Sequence, residues 1–193
     1  MKLFTNKKEL NNLSACSSGY KTFIEAHGEK DATLSQCLTS NGWDDIWWLI
    51  SETFDQFSDQ QKVDLRLLGC EYALSSIDNF EKEFPDDKRP RLAIEASISF
   101  TEGSITQEEL FAARGAATSA AWSARGAKSA RGAATSAAWS AAESAKIAKS
   151  AAESAARFAA ESAAWSARGA EVMQFNTAPL MNLLIKWENI NET

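Results

Sequence analysis

The chain has 193 residues, of which 45% are hydrophobic and 24% are charged, so it is long enough to bury a hydrophobic core as one large domain or two small ones. Its net charge of -6 is uneven, because residues 1–111 carry 20 acidic and 11 basic side chains whereas residues 112–193 carry 6 and 9. The acidic front half disfavours nucleic acid as a partner and suits a basic protein, although an acidic surface that only confers solubility is the simpler interpretation.

The first residues of the chain, its apolar runs and its cysteines are typical of an intracellular protein. Residues 1–8 are charged and contain no apolar signal segment, and nowhere do 18 uncharged apolar residues run together. We therefore expect a cytoplasmic protein without a membrane segment. Cys16, Cys37 and Cys70 lack CxxC spacing, and we expect them to be buried free thiols.

Helix starts are marked three times by a hydroxyl residue followed three positions later by Gln or Glu, a pairing that satisfies backbone donors at a helix amino terminus. The pairs are Thr33 with Gln36, Ser58 with Gln61, and Thr106 with Glu109. Each pair predicts that a helix begins there.

Apolar residues at helical spacing predict two helices in the acidic half. A shorter helix opens with Asp44 and Asp45, whose charges complement its dipole, and a longer one runs from Gln60 to Phe84, before Pro85. The shorter stripe is Trp43, Trp47, Ile50 and Phe54, and the longer one is Val63, Leu67, Cys70, Leu74 and Ile77. Both stripes predict core packing.

Two further amphipathic helices are predicted. The first follows Asp86 and Asp87, has Pro90 in its first turn and ends at Gly103, where glycine favours a helix stop. The closing helix begins near Thr177 and should dock on the rest of the chain. Its apolar residues are Leu180, Leu183, Leu184, Trp187 and Ile190.

Residues 112–170 consist almost wholly of small side chains, which form two rows at heptad spacing. A helix with such rows lets a partner helix approach more closely than the usual ~8–10 Å. The first row is Ala113, Ala120, Ala127, Ala134, Ala141, Ala148 and Ala155, followed by Ser162 and Gly169. The second row is Ala116, Ser123, Ala130, Ala137, Ser144 and Ala151, followed by Phe158 and Trp165.

The same segment contains a tandem duplication, since RGAATSAAWSA occupies both 114–124 and 131–141. Gly115, Gly126 and Gly132 each cost a helix about 1 kcal/mol relative to alanine, which favours a break near 126–132. The rows keep their phase through these glycines, which favours one helix of ~57 residues and ~86 Å. A single helix and a hairpin therefore both fit the sequence.

Trp122 and Trp139 fall off the heptad seam, so they need contact with another part of the chain or with a partner. Basic residues lie among them, a mixture that resembles single-strand nucleic-acid sites. On a helix these charges spread around the axis, and we interpret them as a solvated face. The basic residues are Arg114, Arg125, Lys128, Arg131, Lys146, Lys149, Arg157 and Arg168.

Catalytic and metal-binding patterns were not found in the sequence. His27 is the only histidine, so a nucleophile–base pair would have to combine it with Cys16, and a surface or capping histidine is the simpler interpretation. The histidine and the cysteines lack metal-ligand spacing, and no GxxxxGK[ST] or GxGxxG loop occurs. We expect neither cofactor nor metal.

The segment DDKRPRLAIEA at 86–96, followed by GSIT at 103–106 and an alanine-rich tail, resembles the immunity proteins of the Imm-5-like type over roughly Leu67 to Ala170. The resemblance implies a non-catalytic protein that binds and neutralises another protein. It also suggests that Arg89 and Arg91 pair with Asp86, Asp87 or Glu95 to hold a loop between helices.

We therefore expect an all-α helical bundle with a long alanine-rich helix or helical hairpin, divided into residues 1–104, 105–172 and 173–193, and integrated as one domain. The expected function is that of a protein-binding antagonist, either a toxin-immunity protein or a phage-encoded inhibitor of a bacterial defence system such as a CRISPR effector. A scaffold or homodimer that self-associates through the alanine rows is the alternative. The candidate partner-binding residues are Trp122, Trp139, Asp44, Asp45 and Trp48.

Overall fold

In the computed structural model, the described residues are 4–124, 126–140, 158 and 176–190. They form two compact units, one comprising Met1–Gln61 with Thr177–Thr193 and the other Lys62–Asn176. The described elements are helical apart from one short strand pair, which confirms the expected all-α class.

Unit 1 contains short helices, one two-stranded pair and the closing helix of the chain. β1 and β2 are antiparallel, with Phe4 opposite Thr33. In chain order its elements are β1 Phe4–Thr5, α1 Lys7–Asn12, α2 Ser17–His27, β2 Ala32–Thr33, α3 Leu34–Asn41, α4 Trp43–Glu52, a 3₁₀ turn Phe54–Gln56 and α9 Ala178–Ile190.

Unit 2 contains four longer helices, the first of which begins just before the boundary between the units. They are α5 Asp59–Glu83, α6 Arg89–Thr101, α7 Gln107–Ser123 and α8 Lys128–Ser140. As predicted, α5 ends before Pro85, and Gly103 follows α6 with a φ of 72° that favours glycine.

The three predicted helix starts are confirmed as reciprocal caps. Thr106 shows the pattern: its hydroxyl oxygen accepts from the Glu109 N–H at 3.3 Å, while its own N–H donates to the Glu109 carboxylate at 2.8 Å. The equivalent pairs occur at the starts of α3 and α5. Each cap satisfies donors that the first helical turn leaves without intrahelical partners.

The tryptophan stripe of α4 packs in the core of unit 1, as predicted. Trp43, Trp47 and Ile50 are all buried. The closing helix α9 buries Trp187 against Phe57, with ring centroids 5.4 Å apart. The predicted apolar stripe of α9 is wrong at its last residue, Ile190, which lies at the helix end and is 62% exposed.

The predicted buried face of α5 is partly wrong. Cys70 and Ile77 are buried, but Leu67 and Leu74 are 38% and 44% exposed. Residues outside the apolar stripe, such as Arg66, are also buried, so α5 is covered on more than one side. The two leucines mark the strip of α5 that remains open to solvent.

The alanine-rich segment folds back on itself within the described residues. α7 ends at Ser123 and α8 begins at Lys128, so the break falls beside Gly126, and the two helices pack on each other and on α6. The single continuous helix is therefore wrong and the hairpin is correct. The members of the two rows from 141 onward, including Trp165, lie outside the described residues.

Small side chains explain the close packing of the hairpin. Ala120 and Ala134 from the first row and Ala130 and Ala137 from the second are fully buried. Such residues let helices approach closely because no large side chain separates their backbones. Ala113, Ala116 and Ala127 are partly buried, and Ser123, at the end of α7, is exposed.

Ion pairs hold the loop between α5 and α6, although the predicted partners are only partly correct. Arg89 binds Asp87 at 2.6 Å, as expected. Arg91, however, reaches back to α5, and two of its nitrogens donate to the Glu81 carboxylate at 2.7 Å. The Arg91–Glu81 pair therefore joins α6 to α5.

Candidate protein-binding groove

The tandem duplication occupies facing sides of the α7–α8 hairpin. The Arg114 guanidinium lies over the Trp139 ring, 5.5 Å from its centroid, so the start of α7 faces the end of α8. In an antiparallel pair, each step forward on one helix is a step back on the other. Thr118 therefore lies opposite Thr135, and Trp122 lies opposite Arg131.

An open groove of about 700 Å³ runs between these side chains. Eight of its nine described lining residues come from the duplication, and Phe158 is the ninth. The eight form four equivalent pairs, each separated by 17 positions in the sequence. The pairs are Arg114 and Arg131, Thr118 and Thr135, Ala121 and Ala138, and Trp122 and Trp139. The groove therefore has an approximate two-fold axis that passes between the two threonines.

The groove combines exposed aromatic surface with positive charge. Trp122 is 62% exposed, Trp139 is half-buried, and none of the described lining residues is acidic. The Thr118 and Thr135 hydroxyls each donate to a backbone carbonyl one turn earlier, at 2.9 Å. A hydroxyl oxygen engaged in this way can still accept a hydrogen bond from a ligand.

Arginine and tryptophan are the residue types that dominate the binding energy of protein interfaces. The basic residues were interpreted as a solvated face spread around the helix, and two of them, Arg114 and Arg131, line one groove. The two residues could have been found by placing the duplication on a hairpin broken at Gly126.

The candidate residues in the acidic half are only partly brought together. Asp45 and Trp48 line a small cleft in unit 1 with about 30 Å³ available to solvent, room for little more than one water. Asn41 donates to Asp45 at 2.9 Å, which holds its carboxylate at the cleft. Asp44 is exposed in the first turn of α4, as its predicted helix-start role requires, and does not line the cleft.

Cys16 and His27 do not form a catalytic pair. Cys16 caps the start of α2 and His27 is its last residue, so about 16 Å of helix separates them. His27 instead contacts the Ser40 hydroxyl through Nε2 at 2.9 Å. The ring is thus part of the packing between α2 and α3.

The cysteines differ in exposure, so the prediction of three buried thiols is wrong for Cys16. Cys16 is exposed, and its hydrogen bond with the Ser18 hydroxyl, followed by that from the Gly19 amide, lowers the pKa of its thiol. Burial raises the pKa of Cys37 to about 12, and burial also raises the pKa of Cys70. At neutral pH the two buried thiols are therefore inert.

Within the part of the chain that the structure describes, no helix is both long and apolar enough to cross a membrane. The same residues contain no group of three or more histidine, cysteine or acidic side chains placed to hold a metal ion.

Residues 55–145 match the family model described as Imm-5 like putative immunity protein. The matched segment contains helices α5 to α8 and the described lining residues of the groove other than Phe158. No curated protein and no solved structure matches the chain.

Proposed function

We propose that this protein is a non-enzymatic antagonist that binds and neutralises a partner protein, and that the partner docks in the groove of the α7–α8 hairpin. One observation carries the proposal. The Imm-5 like segment presents Trp122, 62% exposed, at the edge of a groove that also holds a second tryptophan and two arginines.

Energetic reasoning supports a binding role for Trp122. An indole offers a large apolar surface at low conformational cost, and burial of apolar surface stabilises a complex by about 25 cal/mol per Å². Burial of Trp122 contributes little to folding, because most of its side chain stays in water. A partner that covers the indole would gain this free energy on binding.

Two biological roles fit this mode of action. An immunity protein would protect its own cell from a toxin, and the family match supports that role. A phage-encoded inhibitor of a bacterial defence system, such as an anti-CRISPR protein, would use the same kind of binding. A toxin gene beside this gene would favour the first, and neighbouring phage structural or anti-defence genes would favour the second. Both roles would be carried out in the cytoplasm.

Affinity purification tests the proposal. The tagged full-length chain, expressed in its native host, should capture one partner in stoichiometric amount, and Trp122→Ala should reduce the captured amount at least tenfold. Phe111→Ala is the matched control, since Phe111 is a 60% exposed aromatic residue on the same helix that does not line the groove. Equal capture by both variants would refute docking at the groove.

The acidic half offers a second candidate surface. A variant with Asp44→Asn and Asp45→Asn tests it in the same capture assay, and Trp48→Ala tests the adjoining cleft. Loss of the partner in these variants, with normal capture by Trp122→Ala, would transfer the binding site to unit 1.

The burial of alanines from both rows inside the hairpin disfavours the scaffold alternative. Ala120, Ala130, Ala134 and Ala137 are fully buried inside the hairpin, so these members are not open to a second copy. A homodimer would have to use another surface. Light scattering at micromolar concentration tests this alternative, because a monomer would exclude it.

A further inference from the structure

We propose that the small cleft of unit 1 is a modification site, in which hydrogen peroxide oxidises Cys16 to a sulfenic acid and the Thr5 hydroxyl holds the peroxide. The cleft shares no lining residue with the groove of the α7–α8 hairpin. The reaction modifies the chain itself and does not depend on a protein partner, so it is independent of the proposed function.

The hydroxyl of Thr5 is the polar group that points to a ligand in this cleft. Successive side chains of a strand lie on opposite faces, and in β1 Phe4 is 38% exposed whereas Thr5 is 2% exposed. The buried Thr5 hydroxyl has no hydrogen-bond partner within the described residues, although Thr5 lines the cleft. Buried hydroxyls normally have a partner, because an unpaired one costs free energy. A small polar molecule in the cleft would supply that partner.

Cys16 lines the same cleft from the start of α2, and its exposure lets a reagent reach the sulfur. The Gly19 amide donates to its Sγ at 3.4 Å, and the Ser18 hydroxyl lies at the same distance. The hydrogen bond with Ser18, followed by that from Gly19, lowers the pKa of the thiol, although desolvation and the Asp45 carboxylate oppose this shift. A lowered pKa increases the fraction of thiolate at neutral pH, and the thiolate is the form that attacks peroxides.

The size and the charge of the cleft select the oxidant. About 30 Å³ is available to solvent, and one water needs roughly 10–15 Å³, so two bonded oxygen atoms fit but an alkyl peroxide does not. Apolar side chains such as Leu10, Phe23 and Leu49 form much of the wall, and the carboxylate of Asp45 repels anionic oxidants. Hydrogen peroxide is both small and neutral, so it meets both conditions.

The reaction is a two-electron oxidation of the Cys16 sulfur. The thiolate attacks one peroxide oxygen, so that an S–O bond forms while the O–O bond breaks. The second oxygen leaves as hydroxide and takes a proton from solvent to become water. A hydrogen bond donated by Thr5 would hold the peroxide in the cleft and stabilise the charge that develops on the leaving oxygen. Each chain consumes one peroxide, so the step is a modification and not a turnover.

Cys37 lines the cleft as well, but it does not favour a disulfide with Cys16. Burial raises the pKa of Cys37 to about 12, so its thiol stays protonated at neutral pH. A protonated thiol is a slow nucleophile toward oxidised sulfur. The sulfenic acid of Cys16 should therefore persist until a thiol from solution reduces it.

The test measures the oxidation of Cys16 by hydrogen peroxide in the full-length chain at pH 7. Dimedone traps the sulfenic acid, and peptide mapping by mass spectrometry gives the rate at Cys16. Thr5→Val keeps the shape of the side chain and removes an unpaired hydroxyl, so the variant should fold and its rate should fall about tenfold. The matched control is Thr39→Val, an exposed position of α3 outside the cleft, which should change the rate less than twofold.

Two further measurements separate the hydroxyl from the packing around it. Thr5→Ser keeps a hydroxyl and should react within twofold of wild type. If Thr5→Val does not fold by circular dichroism, Thr5→Ala replaces it in the comparison with Thr5→Ser. tert-Butyl hydroperoxide should oxidise wild type and Thr5→Val at equal rates, because it is too large to enter the cleft.

Several results would overturn the proposal. Equal rates of wild type and Thr5→Val with hydrogen peroxide would show that the cleft holds only a bound water. A rate for Thr5→Ser as low as that for Thr5→Val would show that packing, and not the hydroxyl, controls the reaction. A disulfide between Cys16 and Cys37 without a dimedone adduct would refute the sulfenic acid as the product. None of these results bears on partner capture at the groove.

Discussion

Enlarging one fully buried alanine tests whether the hairpin depends on small side chains. Ala134 on α8 is 0% exposed and lies in the cluster that joins α5, α6, α7 and α8. Ala134→Leu inserts three extra carbon atoms into a core packed at a density of about 0.75, so neighbouring side chains or the helices must move. Overpacking of this kind costs about 1–3 kcal/mol.

Helix propensity contributes little to this expected loss, because leucine ranks just below alanine as a helix former. Ala112→Leu is the matched control: it makes the same change at an exposed position of α7 and should alter stability by no more than about 0.5 kcal/mol. For a chain of this length, each kcal/mol lowers the Tm by about 2–4 °C, so Ala134→Leu should lower it by roughly 2–12 °C.

Urea unfolding followed by far-ultraviolet circular dichroism provides the assay. The denaturation midpoint of Ala134→Leu should fall while the slope of the transition stays constant, which indicates a change in stability and not in the surface exposed on unfolding. Equal midpoints for Ala134→Leu and Ala112→Leu would refute the close packing of the hairpin.

Three further predictions concern backbone, charge and thiol chemistry. Gly115→Ala should stabilise the protein by about 1 kcal/mol in urea unfolding, since a Cβ at this helical position meets no atom within 4 Å; a lower midpoint would contradict this. Hydrogen bonds from Arg91 hold the pKa of Glu81 below its usual 4.5, so the pair stabilises the fold above that pH and loses its effect as pH falls through the depressed pKa. Wild type should therefore lose up to about 1 kcal/mol more than Glu81→Gln between pH 6 and 3, whereas parallel pH profiles would show that the pair contributes nothing. Iodoacetamide at pH 8 should modify Cys16 first by mass spectrometry, because only about 10⁻⁴ of a thiol such as Cys37, with a pKa of about 12, is ionised; equal labelling of both would contradict the assignment.

Helix starts were predictable because their determinants are local. Thr33, Ser58 and Thr106 each bond to a residue three positions later, and such a bond does not depend on the rest of the fold. The buried face of α5 was less predictable. Leu67 fits the apolar stripe, but neighbouring helices cover α5 on several sides. The periodicity of apolar residues does not reveal how many helices pack against α5.

The groove could not be predicted from a helical wheel. On a continuous helix, Arg114 and Arg131 would be displaced by about 26 Å and turned by about 100°. Only the break between Ser123 and Lys128 turns one copy of the duplication toward the other. Trp122 and Trp139 were identified as candidates because each stands off the heptad seam, but their shared groove depends on tertiary structure.

The local dyad of the hairpin has a consequence for polarity. A polypeptide lying across Thr118 and Thr135 would meet the same chemistry whether its amino or its carboxyl end pointed toward the interhelical turn. Phe158 has no counterpart among the repeated pairs. Among the described lining residues, Phe158 therefore distinguishes the two directions in which a polypeptide could bind. Replacing Phe158 should allow binding in both directions.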